Sequence, residues 1–132
     1  MKKSIKLIDI NKLRSHEEVD LKHVNELVCK IRKDGFLRNP VIVEDKHLVI
    51  LDGHHRFMAL KKLRMRVIPS YLVPYGKVKV FLRRKIDIAN IKKEVISHAL
   101  NHKLFPSKTT RHLIKNRPRN INVNLANLQL TS

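Results

Sequence analysis

Apolar and polar positions follow one another along this chain in short blocks, each with a recognisable period. "IKLIDI", Ile5 to Ile10, alternates as a strand, with Ile8 and Ile10 on one face and Leu7 and Asp9 on the other. After the polar, acid-rich "RSHEEVD", the residues Leu21, Val24, Leu27, Val28 and Ile31 recur at helical spacing. Asp20 stands where an N-cap belongs, and Gly35 of "KDG" where a left-handed residue closes the helix. "PVIVEDKHLVILDG" predicts a hairpin of two β-rich runs, Val41 to Val43 and Leu48 to Leu51, joined by a charged turn. A second helix follows with Phe57, Leu60 and Leu63 inward. "VIPSYLV" and "KVKVFL" predict two more strands around "PYG", and Ile88, Ile91, Val95 and Ala99 mark a third helix. "LFPSKTTRHLI" reads as a loop with a short helical turn, and "INVNLANLQL" closes the chain. There is no internal repeat and no low-complexity segment. The pattern predicts one compact α+β domain over residues 1–132, a mixed β-sheet with flanking helices.

Composition narrows the picture. An apolar fraction of 42% in 132 residues supplies one core rather than two. No apolar run approaches the roughly 20 residues that span a bilayer, and "MKKSIKLIDI" is broken by Lys6 and Asp9 before it could act as a leader. The expectation is a soluble cytoplasmic protein without a membrane partner. The single cysteine, Cys29, excludes an internal disulfide framework; its place in the first helix predicts a small buried hydrophobe. The formal net charge of +18 draws polyanions, whether nucleic acid or nucleotide phosphate. Basic clusters stand at "FLRRK" and "KNRPRN". With aromatic residues at 5%, a base-stacking platform for single strands is not indicated.

Three constellations carry chemistry. In "LDGHHR" a strand ends at Asp52, Gly53 permits a tight turn or close approach of a ligand, and His54, His55 and Arg56 fill the first turn of a helix. The free N–H groups and dipole of a helix start favour anions, and an arginine can grip phosphate bidentately. Zinc is the weaker reading: adjacent histidines diverge by about 100° on a helix, and no Cys/His pair at zinc-like spacing stands elsewhere. A structural histidine pair is the bland alternative. "HEEVD", His16 to Asp20, is either an acidic turn complementing the next helix dipole or a carboxylate held as general base or magnesium ligand. "SKTTRH", Ser107 to His112, offers hydroxyls and cations for a carboxylate or phosphate, and is equally an ordinary polar loop.

"ILDGHHRFMALKKL" resembles the signature of the ParB/sulfiredoxin superfamily, whose members carry a Gly-x-x-Arg-type box between a strand and a helix. More narrowly, "HEEVDLKHVNELVCKIRKDGFLRNPVIV", "LVILDGHHRFMALKKL" and "LFPSKTTRHLI…INVNLANL", in that order from His16 to about Leu128, resemble the free L-serine kinases of that superfamily. The resemblance implies a ParB/sulfiredoxin-like fold. It also implies Mg2+-dependent phosphoryl transfer from a nucleotide to the hydroxyl of L-serine, giving O-phospho-L-serine for cysteine biosynthesis. It implies Glu17 as the base and assigns nucleotide phosphate and Mg2+ to Asp52, Gly53, His54, His55 and Arg56, with Asp52 as the metal's partner. Substrate contacts fall to His16, Lys108, Thr109, Thr110, Arg111 and His112. Phosphoryl transfer asks mainly for positioning, charge neutralisation and one proton acceptor, which these residues supply. Neither a Walker-type loop nor a kinase Asp-Phe-Gly is present.

This chain lacks the insertion that longer archaeal members carry before the "KTTRH" block, and reads "FLRRK" where they have aromatics. The ADP-dependent activity associated with the longer forms therefore need not transfer, and ATP is the expected donor. A sulfiredoxin-like reductase would need a cysteine where the box reads Gly53-His54-His55-Arg56. The alternative is a ParB-like nucleic-acid-binding or nuclease module, consistent with the charge. A helix-turn-helix domain of the segregation proteins, however, is not expected in the residues after Lys85.

Overall fold

The structure is a computed structural model that describes residues 5–83 and 90–129. Its central sheet has four strands: β1 (Lys6–Asp9), β3 (Val41–Glu44), β4 (Ile50–Asp52) and β5 (Val67–Val73), in the order β1–β5–β3–β4. β5 runs antiparallel to β1 and parallel to β3, while β3 and β4 form an antiparallel hairpin, so the sheet is mixed. Two short pairs complete the strands: β2 (Phe36–Leu37) with β8 (Val123–Asn124), and β6 (Lys79–Leu82) with β7 (Thr110–Leu113). The helices are α1 (Leu21–Asp34), α2 (His54–Lys62) and α3 (Ile91–Leu100).

β3 explains the layering. All four residues of "VIVE" are buried, the mark of a strand covered on both faces. Val41 and Val43 pack with Val24 and Ile31 of α1, Phe57 and Leu60 of α2, and Ile50 and Ile68 of the sheet. Ile42, between them in sequence, joins the opposite cluster with Val49, Leu51, Val95, Ala99 and Phe105. α1 and α2 thus cover one side of the sheet and α3 the other, with strand alternation sorting the side chains. Each fully buried aliphatic side chain stabilises this arrangement by roughly 1.5–3 kcal/mol.

The expected α+β class, mixed sheet and flanking helices are present. The caps of α1 stand where the sequence places them: the Asp20 carboxylate accepts the Lys22 N–H at 3.0 Å, and Gly35 adopts φ 78° with its N–H on the Ile31 carbonyl. Other details differ. β1 ends at Asp9, and Ile10 opens a 3-10 turn while still burying its side chain beside Ile8. The second arm of the hairpin begins at Ile50 rather than Leu48, because Arg14 takes the intervening backbone through bonds to Leu48 and Ile50. Leu21, placed in the apolar stripe of α1, is 62% exposed at the helix's first position. Cys29 is exposed rather than buried. It lies five residues beyond Val24, about 140° around the helix from the buried face. Thr110–Leu113, expected as loop or helical turn, is strand β7, because β6 offers it an antiparallel partner from Lys79↔Leu113 to Leu82↔Thr110. Ile88, assigned to the third helix, lies outside the described residues, as do Arg84 and Lys85 of "FLRRK".

Candidate active site

The three constellations converge. β4 delivers Asp52 to its C-terminal end, and the chain turns at Gly53, φ 104°, into α2. A side chain at residue 53 has no room: a Cβ there would lie 2.8 Å from Val41 Cγ1 and 2.9 Å from Arg56 Nη2. Glycine is therefore required both by backbone conformation and by contact. The first helical bond of α2 runs from Phe57 N–H to the Gly53 carbonyl, so the amides of His54, His55 and Arg56 precede the hydrogen-bonded ladder.

The two histidines fasten the acidic segment to this helix. His54 Nε2 accepts the backbone N–H of His16 at 3.2 Å, and His55 Nε2 accepts that of Asp20 at 3.1 Å. Their divergence around the helix lets them hold two points of one strand-like segment. Burial, then His112, pushes the His54 imidazole down to about 3, against the pull of Asp52. Burial and the neighbouring His23 ring lower His55 as well. Both rings are thus neutral acceptors, and the cationic charge here comes from arginine and lysine. The other edge of the segment is tied to Phe105, whose N–H donates to the His16 carbonyl at 2.8 Å and whose carbonyl accepts the Glu18 N–H at 2.7 Å.

Held between these supports, Glu17 turns its carboxylate to Thr110. Oε1 accepts the Thr110 N–H at 2.5 Å and its hydroxyl at 2.6 Å. His16 is 0% exposed, with Nδ1 2.8 Å from the Ile50 carbonyl and Nε2 3.0 Å from Thr110 Oγ1. Asp52 faces two cations: Arg117 pairs with its Oδ2, and Arg56 Nη2 lies 3.9 Å from the same oxygen. Burial alone would raise the Asp52 carboxyl, but Arg56 and Arg117 outweigh it and hold it below its ordinary value. Arg56 also donates to the Pro40 carbonyl at 3.1 Å. Tyr75 O–H meets His112 Nε2 at 2.8 Å; burial raises the phenol and pushes His112 down to about 4.

These groups line a cleft of about 440 Å³, the scale of a small-molecule site. Glu17, Asp52, Gly53, His54, His55 and Arg56 line it together with Lys108, Thr110, Arg111 and His112. Thr109 is buried and donates to the Pro106 carbonyl, and His16 sits behind Glu17; neither lines the cleft. Arg117, Arg83 and Arg38 add cations that motif reasoning left unassigned. The signal for Arg117 was the "KNRPRN" cluster, but only the folded chain brings it to Asp52. Among the described residues, no group of three or more His, Cys, Asp or Glu side chains converges to hold a metal, and no helix is long and apolar enough to cross a membrane.

A carboxylate and a ring of cations beside a helix start, on a mixed sheet with helices on both sides, make this an α+β domain with a cation-rich cleft. The chain matches the ParB N-terminal domain model over residues 2–95 and belongs to that family. It is 39% identical over 82 residues to the ATP-dependent L-serine kinase of Staphylothermus marinus, covering 58% of this chain and 32% of that protein. It is 42% identical over 71 residues to a ParB-like protein of Sulfolobus acidocaldarius, covering 54% and 35%. To the ADP-dependent L-serine kinase of Thermococcus kodakarensis it is 30% identical over 81 residues, 56% of this chain and 33% of that one. The chain spans about one third of the length of these curated relatives. Among solved structures, a free serine kinase in complex with AMP superposes with a TM-score of 0.86 at 17% identity, covering 97% of this chain and 95% of the other. SbnI from Staphylococcus aureus, truncated at its C-terminus, gives 0.84 at 16%, covering 97% and 90%. These superpositions establish a shared fold.

Proposed function

We propose that the chain is a free L-serine kinase, transferring the terminal phosphoryl group of ATP to the hydroxyl of L-serine with Mg2+ and releasing O-phospho-L-serine. The observation that carries this reading is Glu17: its carboxylate, fixed by Thr110, opens on a cleft in which arginines, lysines and the start of α2 outnumber the other two carboxylates, Asp34 and Asp52. Phosphoryl transfer needs that combination, a proton acceptor opposite a positively charged cradle. The L-serine kinases among its relatives support the choice of acceptor, and 39% identity to an ATP-dependent enzyme against 30% to an ADP-dependent one supports ATP.

In this reading Glu17 receives the serine hydroxyl proton. The amides after Gly53, from His54 to Arg56, and the Arg56 guanidinium take the donor's phosphates, while His54 and His55 hold the Glu17 segment in place. Lys108, Arg111 and His112, which also line the cleft, hold the serine and its new phosphate. Thr109 shapes their strand, and Thr110 and His16 act from behind Glu17. Asp52 is the residue that would hold Mg2+. A single carboxylate suits an ion whose other ligands are phosphate oxygens and waters, and Arg117 and Arg56 approach only its Oδ2. Held there, Mg2+ would supply charge neutralisation during phosphoryl transfer. Supply of phosphoserine for cysteine formation in the cytoplasm belongs to the same proposal.

The test is to incubate the protein with L-serine, Mg2+ and either ATP or ADP and to follow phosphorus NMR. Phosphoserine appears, faster with ATP; its absence with both donors overturns the assignment. The net charge of +18 and the ParB-family match favour one second reading, a nucleic-acid-binding or nuclease module. Salt-dependent retention or cleavage of duplex DNA, without any phosphoserine, would select it.

A further inference from the structure

The contacts behind Glu17 constrain where protons sit. A carbonyl only accepts, so the 2.8 Å contact with Ile50 makes His16 Nδ1 a donor. Nε2 faces Thr110 Oγ1 at 3.0 Å, and Oγ1 faces Glu17 Oε1 at 2.6 Å. The threonine hydroxyl has one proton and serves one neighbour at a time. Directed at Glu17, it leaves Nε2 to carry a proton, an imidazolium 3.9 Å from the carboxylate. Directed at His16, it leaves the ring neutral, and the short Oγ1–Oε1 contact then holds a proton on Glu17. The two arrangements have the same net charge and differ by one proton shift on each side of Oγ1.

We propose that Thr110 and His16 are positioning residues that form a proton relay behind Glu17, committing Oε1 to the relay and leaving Oε2 to the substrate hydroxyl. The proposal rests on the kinase reading of the cleft. As the new O–P bond forms, the electron pair of the broken P–O bond leaves with the nucleoside diphosphate and the serine proton passes to Oε2. A proton on Oε1 moves to Thr110 while the Thr110 proton moves to His16 Nε2, so the carboxyl never carries two protons. After product departure Oε2 returns its proton to water and the relay reverses.

The surroundings of His16 suit this role. His54 from α2, His112 from β7 and His98 from α3 face the ring, and the Glu17 carboxylate lies 3.9 Å from its Nε2. Burial first, then His54 and His112, holds the imidazole well below its ordinary value.

Thr110→Val keeps the backbone N–H and the shape but removes the hydroxyl, and Thr110→Ser restores it. The valine variant should lose roughly tenfold to hundredfold in kcat with serine KM within about twofold, and the serine variant should approach wild type. Independently of turnover, nitrogen-15 NMR of histidine-labelled protein should show His16 Nε2 moving downfield in Thr110→Val, as it loses its partner, and returning in Thr110→Ser. An unchanged Nε2 signal overturns the relay, as does a valine variant with raised serine KM and intact kcat. Absence of phosphoserine from the wild type would instead overturn the kinase reading, while the NMR arm still reports on the coupling.

Discussion

Gly53 shows how closely a single residue sets this cleft. Its φ of 104° and the 2.8 Å approach that a Cβ would make to Val41 act together at the turn that launches α2. Gly53→Ala should cost about 1–3 kcal/mol, read as a lower urea midpoint, with nucleotide binding weakened as the turn shifts. Arg117 is the matching electrostatic case. Arg117→Gln leaves Asp52 with Arg56 alone, so the carboxyl should move up toward its ordinary range in a carbon-13 NMR titration, and half-maximal turnover should need less Mg2+, since a competing cation is gone. An unchanged titration would mean that Arg56 already suffices. These residues also mark how far the sequence could be read. Gly53, Asp52 and Glu17 were visible because short motifs carry their chemistry. Arg117 was not, because its partner is 65 residues away. The histidines of "HHR" were visible as a pair, yet their service as neutral acceptors for His16 and Asp20 depends on a segment packed beside them.

Among the elements, α1 was readable end to end because caps are local: Asp20 and Gly35 act on amides and carbonyls within one turn. Asp20→Ala should therefore cost about 1 kcal/mol in urea denaturation while leaving the His55 bond, which uses the Asp20 backbone, in place. Strand β7 was not readable. "TRHL" alternates Thr110 and His112 inward with Arg111 and Leu113 outward, but so short a run becomes a strand only when β6 is beside it. That pairing matters for the site, since it places Thr110 against Glu17 and His112 against Tyr75. The misplacement of Cys29 and Leu21 has a similar origin. Helical periodicity defines a stripe, but the partner helix and the end of the element decide how wide the buried stripe becomes.

At the scale of the whole molecule, buried histidines couple stability to pH. In the unfolded chain His16 and His112 take up protons near 6.5, whereas in the fold His112 holds out to about 4 and His16 lies well below its ordinary value. The unfolded state therefore binds more protons in that window. Stability is fully present above about 6.5 and declines as pH falls toward 4, by up to about 1.4 kcal/mol per pH unit for each ring. Urea midpoints from pH 7.5 to 4.5 should show that slope, and a flat profile would contradict the burial assigned to these rings. The formal charge of +18 should also make kcat/KM for the nucleotide fall with ionic strength, as long-range attraction to the cleft is screened. The role of Glu17 as the base of a serine kinase is tested by single-turnover formation of phosphoserine by wild type and Glu17→Gln, with nucleotide binding measured on both. Phosphoserine is expected from the wild type, with a loss of roughly 10²–10⁴ in the variant at unchanged nucleotide affinity. Full turnover by Glu17→Gln, or none by the wild type, would contradict that role.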